Sequence, residues 1–250
     1  MSLRRSWALV LAVFATSVGA LASASPSVAE TSACGAGAYG SSGYAYAGHQ
    51  ANSISAGIGA TITALRTPSV AAGHVAGWIG VGGPGQGPNG ETMWLQTGIA
   101  ALPGTPPMLY VEITRSGREP TFVTVLEDVK LRESHDLAVL EIRGRPGVWR
   151  VWLDGRPATD PIVLPGSHER WKPIATAESW NGNARTCNTF GFQFERVRVA
   201  GPGGSWRAFN PGFTFLDRGY SVRQLRPVGE RQRTLASDAI QPFAFVAQRL

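Results

Sequence analysis

Three short segments of the sequence combine carboxyl or amide side chains with aromatic ones. Trp94 and Gln96 stand two residues apart in the first, Tyr110 and Glu112 in the second, and Glu178 lies in the third. A carboxylate beside aromatic side chains can take a proton from water and later return it. A neutral amide N–H can stabilise an oxyanion without a metal. Glu178 and Gln96 are the side chains of these segments that could fill these two roles.

Each of these residues lies in a segment that alternation predicts to be a β-strand. Apolar residues alternate with polar or small ones around Gln96, Glu112 and Glu178. If the strands are neighbours, one face of a sheet packs on the core and the opposite face collects the polar residues. Gly98 on that polar face would let another backbone approach. The side chains expected to bind substrate there are those of Trp78, Trp94, Tyr110 and Glu112.

Strand-like segments and turns follow one another along most of the chain. The candidate strands are Ile54–Leu65, Val75–Val81, Thr92–Ala101, Met108–Arg115, Thr121–Leu126, Leu137–Arg143, Val148–Leu153, Ile174–Trp180 and Phe190–Val199, with Phe213–Phe215 and Phe243–Phe245 as further candidates. Turn residues separate them, as at Asp154-Gly155, and no convincing helical period lies between them. A composition of 31 Gly and 16% charged residues also favours short strands over helices. The sequence therefore predicts an all-β fold, an antiparallel β-sandwich or jelly roll.

The order of the motifs resembles that of the glutamic peptidases, also called eqolisins. Trp78-Ile-Gly80 precedes Leu95-Gln-Thr-Gly98, and an Ala-Glu pair at Glu178 comes later in the chain. The resemblance covers about residues 44–199. It implies a concanavalin A-like β-sandwich, the fold of the lectin/glucanase superfamily.

The same resemblance implies a function. It indicates a secreted, acid-acting endopeptidase with a polypeptide substrate and no cofactor, in which Glu178 is the general base and Gln96 stabilises the oxyanion. The family usually has aspartates at three positions where this chain has Gly82, Ala100 and Met108. For Glu112, a supporting carboxylate and a surface glutamate both stay open.

Two other functions are also compatible with the sequence. One is a lectin-like or glycosidase-like sandwich that takes a glycan, with Glu112 and Glu178 as its two carboxylates. The tryptophans Trp149 and Trp152 are three apart, so they point to opposite faces of a strand, and only Trp152 would be free for a sugar. The other function is purely structural, in an exported protein.

Export is predicted from the N-terminus. Arg4 and Arg5 precede an apolar run, and Ala22-Ser-Ala24 offers a cleavage site. We therefore expect a signal peptide over residues 1–24, a flexible arm over 25–43 and one β-sandwich domain over 44–250. Cys34 and Cys187 are the only cysteines of the chain, and in an oxidising compartment they are expected to form a disulfide.

Charge and histidine spacing argue against other partners. The formal net charge is +6, and loss of Arg4 and Arg5 lowers it, so nucleic acid binding is not expected. The four histidines show no ligand spacing, so no metal site is expected. We also expect no membrane association after signal cleavage, and a monomer.

Overall fold

The computed structural model describes residue 34 and residues 43–182, 184, 186–225 and 243–250. Within these residues the chain forms sixteen strands and no helix. The strands are β1 (Tyr44–Ala51), β2 (Gly57–Ala64), β3 (His74–Gly83), β4 (Met93–Ala101), β5 (Met108–Thr114), β6 (Thr121–Leu126), β7 (Ser134–Glu141), β8 (Val148–Leu153), β9 (Arg156–Pro157), β10 (Ile162–Val163), β11 (Ile174–Trp180), β12 (Phe190–Ala200), β13 (Trp206–Ala208), β14 (Pro211–Leu216), β15 (Ser221–Gln224) and β16 (Phe243–Arg249). Since no helix occurs there, these residues contain no helix that could span a membrane.

The strands form two antiparallel sheets. The first sheet has the order β14-β1-β11-β3-β4-β5-β6. The second has the order β10-β8-β7-β2-β12-β16-β15, with β9 paired to β8 and β13 paired to β12. The predicted antiparallel β-sandwich is confirmed.

The hydrophobic core lies between the two sheets. From the first sheet, Ile79, Leu95 and Val111 are fully buried in it, and Phe192 and Phe194 enter it from the second. Burying each such side chain stabilises the fold by about 1.5–3 kcal/mol. The core faces of β3, β4 and β5 therefore determine which residues of these strands point the other way.

Nine candidate strands correspond to β2–β8, β11 and β12, with small shifts at their ends. The further candidates at Phe213–Phe215 and Phe243–Phe245 lie in β14 and β16. The alternation pattern did not predict β1, which lies between β11 and β14 in the first sheet. Its Tyr-Ala-Tyr-Ala-Gly sequence has no Val or Ile, so β-propensity alone gives a weak signal.

The predicted disulfide between Cys34 and Cys187 is present and joins positions 153 residues apart. The predicted signal peptide over 1–24 lies outside the described residues. So does the predicted arm over 25–43, apart from Cys34 and Gly43.

Candidate active site

The six predicted site residues lie on one face of the first sheet, the face directed away from the core. Strand pairing brings them together, because Gln96 on β4 is opposite Glu112 on β5, and Trp78 on β3 is opposite Thr176 on β11. We call this the polar face and define it by Trp78, Trp94, Gln96, Tyr110, Glu112 and Glu178. Four of them, Trp78, Gln96, Tyr110 and Glu178, are buried, and Trp94 and Glu112 are half-buried.

The carboxylate of Glu178 has a partner at each oxygen. The indole Nε1 of Trp78 donates a hydrogen bond of 3.0 Å to Oε2. The imidazole Nε2 of His74 lies 3.0 Å from Oε1. Because the two partners hold both oxygens, the plane of the carboxylate is fixed.

The amide of Gln96 faces the other carboxyl group of the polar face. Its Nε2 donates to the hydroxyl of Tyr110 at 3.0 Å and makes a longer contact of 3.4 Å with Oε2 of Glu112. The indole of Trp94 donates to Oε1 of Glu112 at 3.1 Å. Gln96 therefore presents an N–H group whose second contact is weak and can be exchanged for a ligand oxygen.

Burial changes the protonation of several of these groups. Desolvation and the charge of Glu178 raise the pKa of Glu112 to about 7, against the opposing effects of His74 and Trp94. Burial, with the charges of Glu178 and Glu112, raises the pKa of Tyr110 well above its ordinary value. Glu112 is therefore largely protonated in mildly acidic solution, and Tyr110 is neutral.

His74 was not among the predicted site residues, although its position on β3 is informative. Residues two and four apart on a strand share a face, so His74 shares the face of Trp78. Burial lowers the pKa of His74, but the hydrogen bond to Glu178 and the charges of Glu178 and Glu112 outweigh it, so the pKa is raised.

An aromatic wall at one side of the polar face was missed as well. Tyr44 and Tyr46 on β1 stack at 6.2 Å between ring centroids, and Tyr44 also stacks on Trp180 at 6.0 Å. At the other side, Phe122 stacks on Tyr110 at 4.9 Å. The period of two that placed Glu178 on this face also places Trp180 there, but Tyr44 and Tyr46 depend on a strand that was not predicted.

Asn188 holds the ends of β3 and β11 together beside His74. Its side chain is fully buried, and its Nδ2 donates to the carbonyl oxygens of Ala72 (2.9 Å) and Trp180 (3.1 Å). Its Oδ1 accepts a bond of 2.9 Å from the backbone N–H of Ala71. Asn188 follows the disulfide-bonded Cys187, so covalent and hydrogen-bonded restraints meet at this corner.

Gly98 lies between Trp78 and Tyr110 in the register of the first sheet. A Cβ there would collide with the carbonyl oxygen of Gly77 and approach the Cα of Trp78 to 2.7 Å. Close strand packing therefore requires glycine at this position, besides any room that it leaves for a ligand.

The two tryptophans that were predicted to point to opposite faces of a strand lie outside the polar face. Trp149 is buried in the core and stacks on Trp171 at 5.6 Å, as the alternation predicts. Trp152 is half-buried, with the guanidinium of Arg150 6.0 Å from its ring centre. Among the described residues, no group of three or more His, Cys, Asp or Glu side chains could hold a metal ion.

Two cavities lie away from the polar face. One of about 290 Å³ is lined by residues that include Glu141, His168 and Trp206. Another of about 230 Å³ is lined by residues that include Trp152 and Arg198. Neither contains a residue of the polar face, whose converging donors and acceptors are the stronger indication of chemistry.

Chemically, the polar face combines a fixed carboxylate, a neutral amide donor and a second, protonatable carboxyl group. A fixed carboxylate can serve as a base towards water, and the amide N–H can donate to an oxygen that gains negative charge. Glu178 and Gln96 are the residues that offer these two groups.

Solved structures of peptidases are similar to this chain. A crystal structure of scytalido-glutamic peptidase with a transition state analog inhibitor has 10% sequence identity and a TM-score of 0.54, covering 82% of this chain and 98% of that one. A second, with a peptide based transition state analog, has 12% identity and a TM-score of 0.50, covering 80% and 97%. A structure of SCP-B, a member of the eqolisin family, in complex with the tripeptide Ala-Ile-His has 11% identity and a TM-score of 0.49, covering 82% and 98%.

The comparison by sequence gives no match. No protein-family model matches the chain, and no curated protein matches it. At 10–12% identity the structural likeness concerns the fold. The chain has a fold similar to that of the glutamic peptidases, as the order of its motifs predicted.

Proposed function

We propose that this protein is an endopeptidase of the glutamic peptidase type, with Glu178 and Gln96 as its catalytic residues. One observation carries the proposal: the same sheet face holds a carboxylate with two fixed partners and an amide donor. The fold similarity to scytalido-glutamic peptidase supports it independently.

In the proposed reaction, ionised Glu178 takes a proton from a water molecule as the water oxygen forms a bond to the peptide carbonyl carbon. The carbonyl oxygen becomes an oxyanion, to which the N–H of Gln96 donates. The long 3.4 Å contact of Gln96 with Glu112 is the one that the oxyanion replaces. Glu178 then gives its proton to the nitrogen as the carbon–nitrogen bond breaks, leaving a new carboxyl group and a new amine.

The substrate in this proposal is an unfolded or extended polypeptide. The half-buried Trp94 and Glu112 border the site, and the aromatic rings of Trp78 and Tyr110 form its floor. The two scytalido-glutamic peptidase structures contain a transition state analog and a peptide based analog, which is consistent with a peptide ligand. The disulfide between Cys34 and Cys187 suits an exported enzyme.

Activity is expected in acidic solution. Below about pH 7 Glu112 is mostly protonated, so one of the two carboxyl groups of the polar face is neutral. As the pH rises through that value, a second negative charge appears beside Gln96 and opposes development of an oxyanion. The cleavage rate is therefore expected to fall towards neutral and alkaline pH.

The experiment is cleavage of an unfolded protein substrate from about pH 2 to about pH 7, a range that spans titration of a carboxylate base. Wild type is compared with Gln96→Ala and Glu178→Gln. Removing an oxyanion donor typically lowers kcat by roughly 100–1,000-fold, and loss of the base should be at least as severe.

A matched control is Glu195→Gln, since Glu195 lies on β12 in the second sheet. This variant is expected to cleave like wild type. Cleavage that survives both Gln96→Ala and Glu178→Gln in folded protein would remove the proposed roles. No cleavage by wild type at any pH, together with retention on a polysaccharide column, would favour the glycan-binding alternative.

A further inference from the structure

His74 and Glu178 form a buried pair inside the candidate active site. Their side chains come from β3 and β11, 104 residues apart in sequence, with 3.0 Å between Nε2 and Oε1. The His74 side chain is 25% exposed and that of Glu178 is 9% exposed. The pair is therefore largely removed from solvent. Salt and water screen the attraction between such groups less than they screen an exposed pair.

The surroundings of the pair are rich in acidic and phenolic groups. Besides Glu178 itself, the groups that face the pair are Glu112 and Tyr110 on β5 and Tyr44 and Tyr46 on β1. Asp217 accepts a hydrogen bond from the backbone N–H of Tyr46. Within the described residues, Glu178 makes an ion pair with His74 and no other, and Glu112 makes none. Among the described residues, His74 is therefore the basic side chain that pairs with an acid of the polar face.

The ring of His74 is held from two sides. Tyr44 meets it edge-on at 5.9 Å between ring centroids, and Trp180 lies at 5.9 Å in a tilted arrangement. The backbone carbonyl of His74 also accepts a bond of 3.3 Å from Asn188. These contacts fix the direction in which Nε2 points.

We propose that His74 is a positioning residue, which orients the Glu178 carboxylate to take a proton from water and, when protonated, places a positive charge beside it. The inference rests on the proposed function, since it assigns His74 a role in the same reaction. With Trp78 at one oxygen and His74 at the other, each oxygen keeps a further lone pair that can accept a hydrogen bond from water.

The charge of His74 gives the proposal its pH dependence. Protonated His74 favours the ionised form of Glu178, so activity persists to lower pH than it would beside a neutral residue. Replacing His74 with Gln keeps a hydrogen-bond donor but removes the charge. The acidic limb of the kcat/KM profile should then move to higher pH by about one unit, a tenfold loss of rate on that limb.

A merely structural role would give a different result. Loss of packing around Tyr44 and Trp180 would lower kcat/KM by the same factor at every pH. The matched control is His168→Gln, because His168 also pairs with a glutamate, Glu141, at 2.9 Å but lies outside the polar face. This control should leave the pH profile of cleavage unchanged.

A second readout does not depend on catalysis. The imidazole resonance of His74 can be followed by NMR during a pH titration and assigned by its disappearance in His74→Gln. In wild type it should titrate above the ordinary value of about 6.5, and Glu178→Gln should lower its pKa, because the hydrogen bond and charge of Glu178 raise it.

The two readouts separate failure of this inference from failure of the proposed function. An inactive wild type with the expected His74 titration would reject the peptidase and, with it, the positioning role, while leaving the ion pair intact. An active wild type whose acidic limb is the same in His74→Gln would overturn the positioning role alone. A His74 pKa that does not respond to Glu178→Gln would overturn the pairing on which the role depends.

Discussion

At the scale of single residues, two glutamates on one sheet face have different environments. Glu178 has hydrogen-bonding partners at both oxygens, one of them His74, whose pKa is raised by this contact. Glu112 is beside Trp94 and Gln96, and burial with the charge of Glu178 raises its pKa to about 7. Different environments of this kind allow two carboxyl groups on one face to take different roles.

The raised pKa of Glu112 predicts a pH-dependent change of stability. At Glu112 the folded protein binds more protons than the unfolded chain between about pH 4.5 and 7, so this group's contribution to stability is lost as the pH rises through this window. Glu112→Gln removes that loss. The unfolding free energy of the variant minus that of wild type, measured in urea, should therefore be about 1–3 kcal/mol larger at pH 8 than at pH 4.5.

Glu195→Gln serves as the control for this prediction as well, because Glu195 lies in the second sheet. It should leave the pH dependence of unfolding unchanged. Parallel stability curves for wild type and Glu112→Gln between pH 4.5 and 8 would show that Glu112 titrates normally in the folded protein.

Sequence alternation was sufficient to predict the six residues of the polar face, because a period of two determines which face of a strand each side chain occupies. It could not predict that His74 contacts Glu178. That contact requires β3 and β11 to be neighbours, and local periodicity carries no information on the pairing of strands about 100 residues apart.

At the scale of elements, the site depends on four adjacent strands, β11, β3, β4 and β5. The segment Val75–Val81 and the segment Ile174–Trp180 were predicted as strands, but not as partners. The missed β1 adds Tyr44 and Tyr46 beside β11. Its small and aromatic residues form a strand because both neighbouring strands offer backbone pairing, a tertiary effect that propensity does not contain.

Asn188 is expected to be the main polar restraint between β3 and β11. Asn188→Ala removes the hydrogen bonds that its fully buried side chain makes with the N–H of Ala71 and the carbonyl oxygens of Ala72 and Trp180. The cost should be about 2–4 kcal/mol of unfolding free energy, measured in urea. If the protein hydrolyses peptides, kcat/KM should fall too, because the strands that carry His74 and Glu178 lose their common anchor.

The matched control for this substitution is Asn210→Ala, because Asn210 is exposed. Its unfolding free energy should stay within about 0.5 kcal/mol of wild type. Equal stability of Asn188→Ala and wild type would show that water or neighbouring groups replace the side chain, and that the corner does not depend on it.

At the scale of the whole molecule, the sandwich brings together residues that are far apart in sequence. Trp78 and Glu178 are 100 residues apart, and the disulfide joins positions 153 apart. The disulfide could be predicted because the chain has only two cysteines, and the sandwich because strands and turns alternate regularly. The similarity to scytalido-glutamic peptidase at 10% identity shows that this arrangement does not require a similar sequence.

The central claim is that Glu178 and Gln96 act in the same step, Glu178 on the water and Gln96 on the oxygen of the carbonyl group that the water attacks. The most direct test is a double-mutant cycle of kcat/KM on an internally quenched peptide, with Gln96→Ala, Glu178→Gln and both together. Residues that act as a unit are strongly non-additive, so the double variant should be no more than about tenfold slower than the slower single variant. Losses that multiply in full, or a Glu178→Gln variant that cleaves like wild type, would contradict the account.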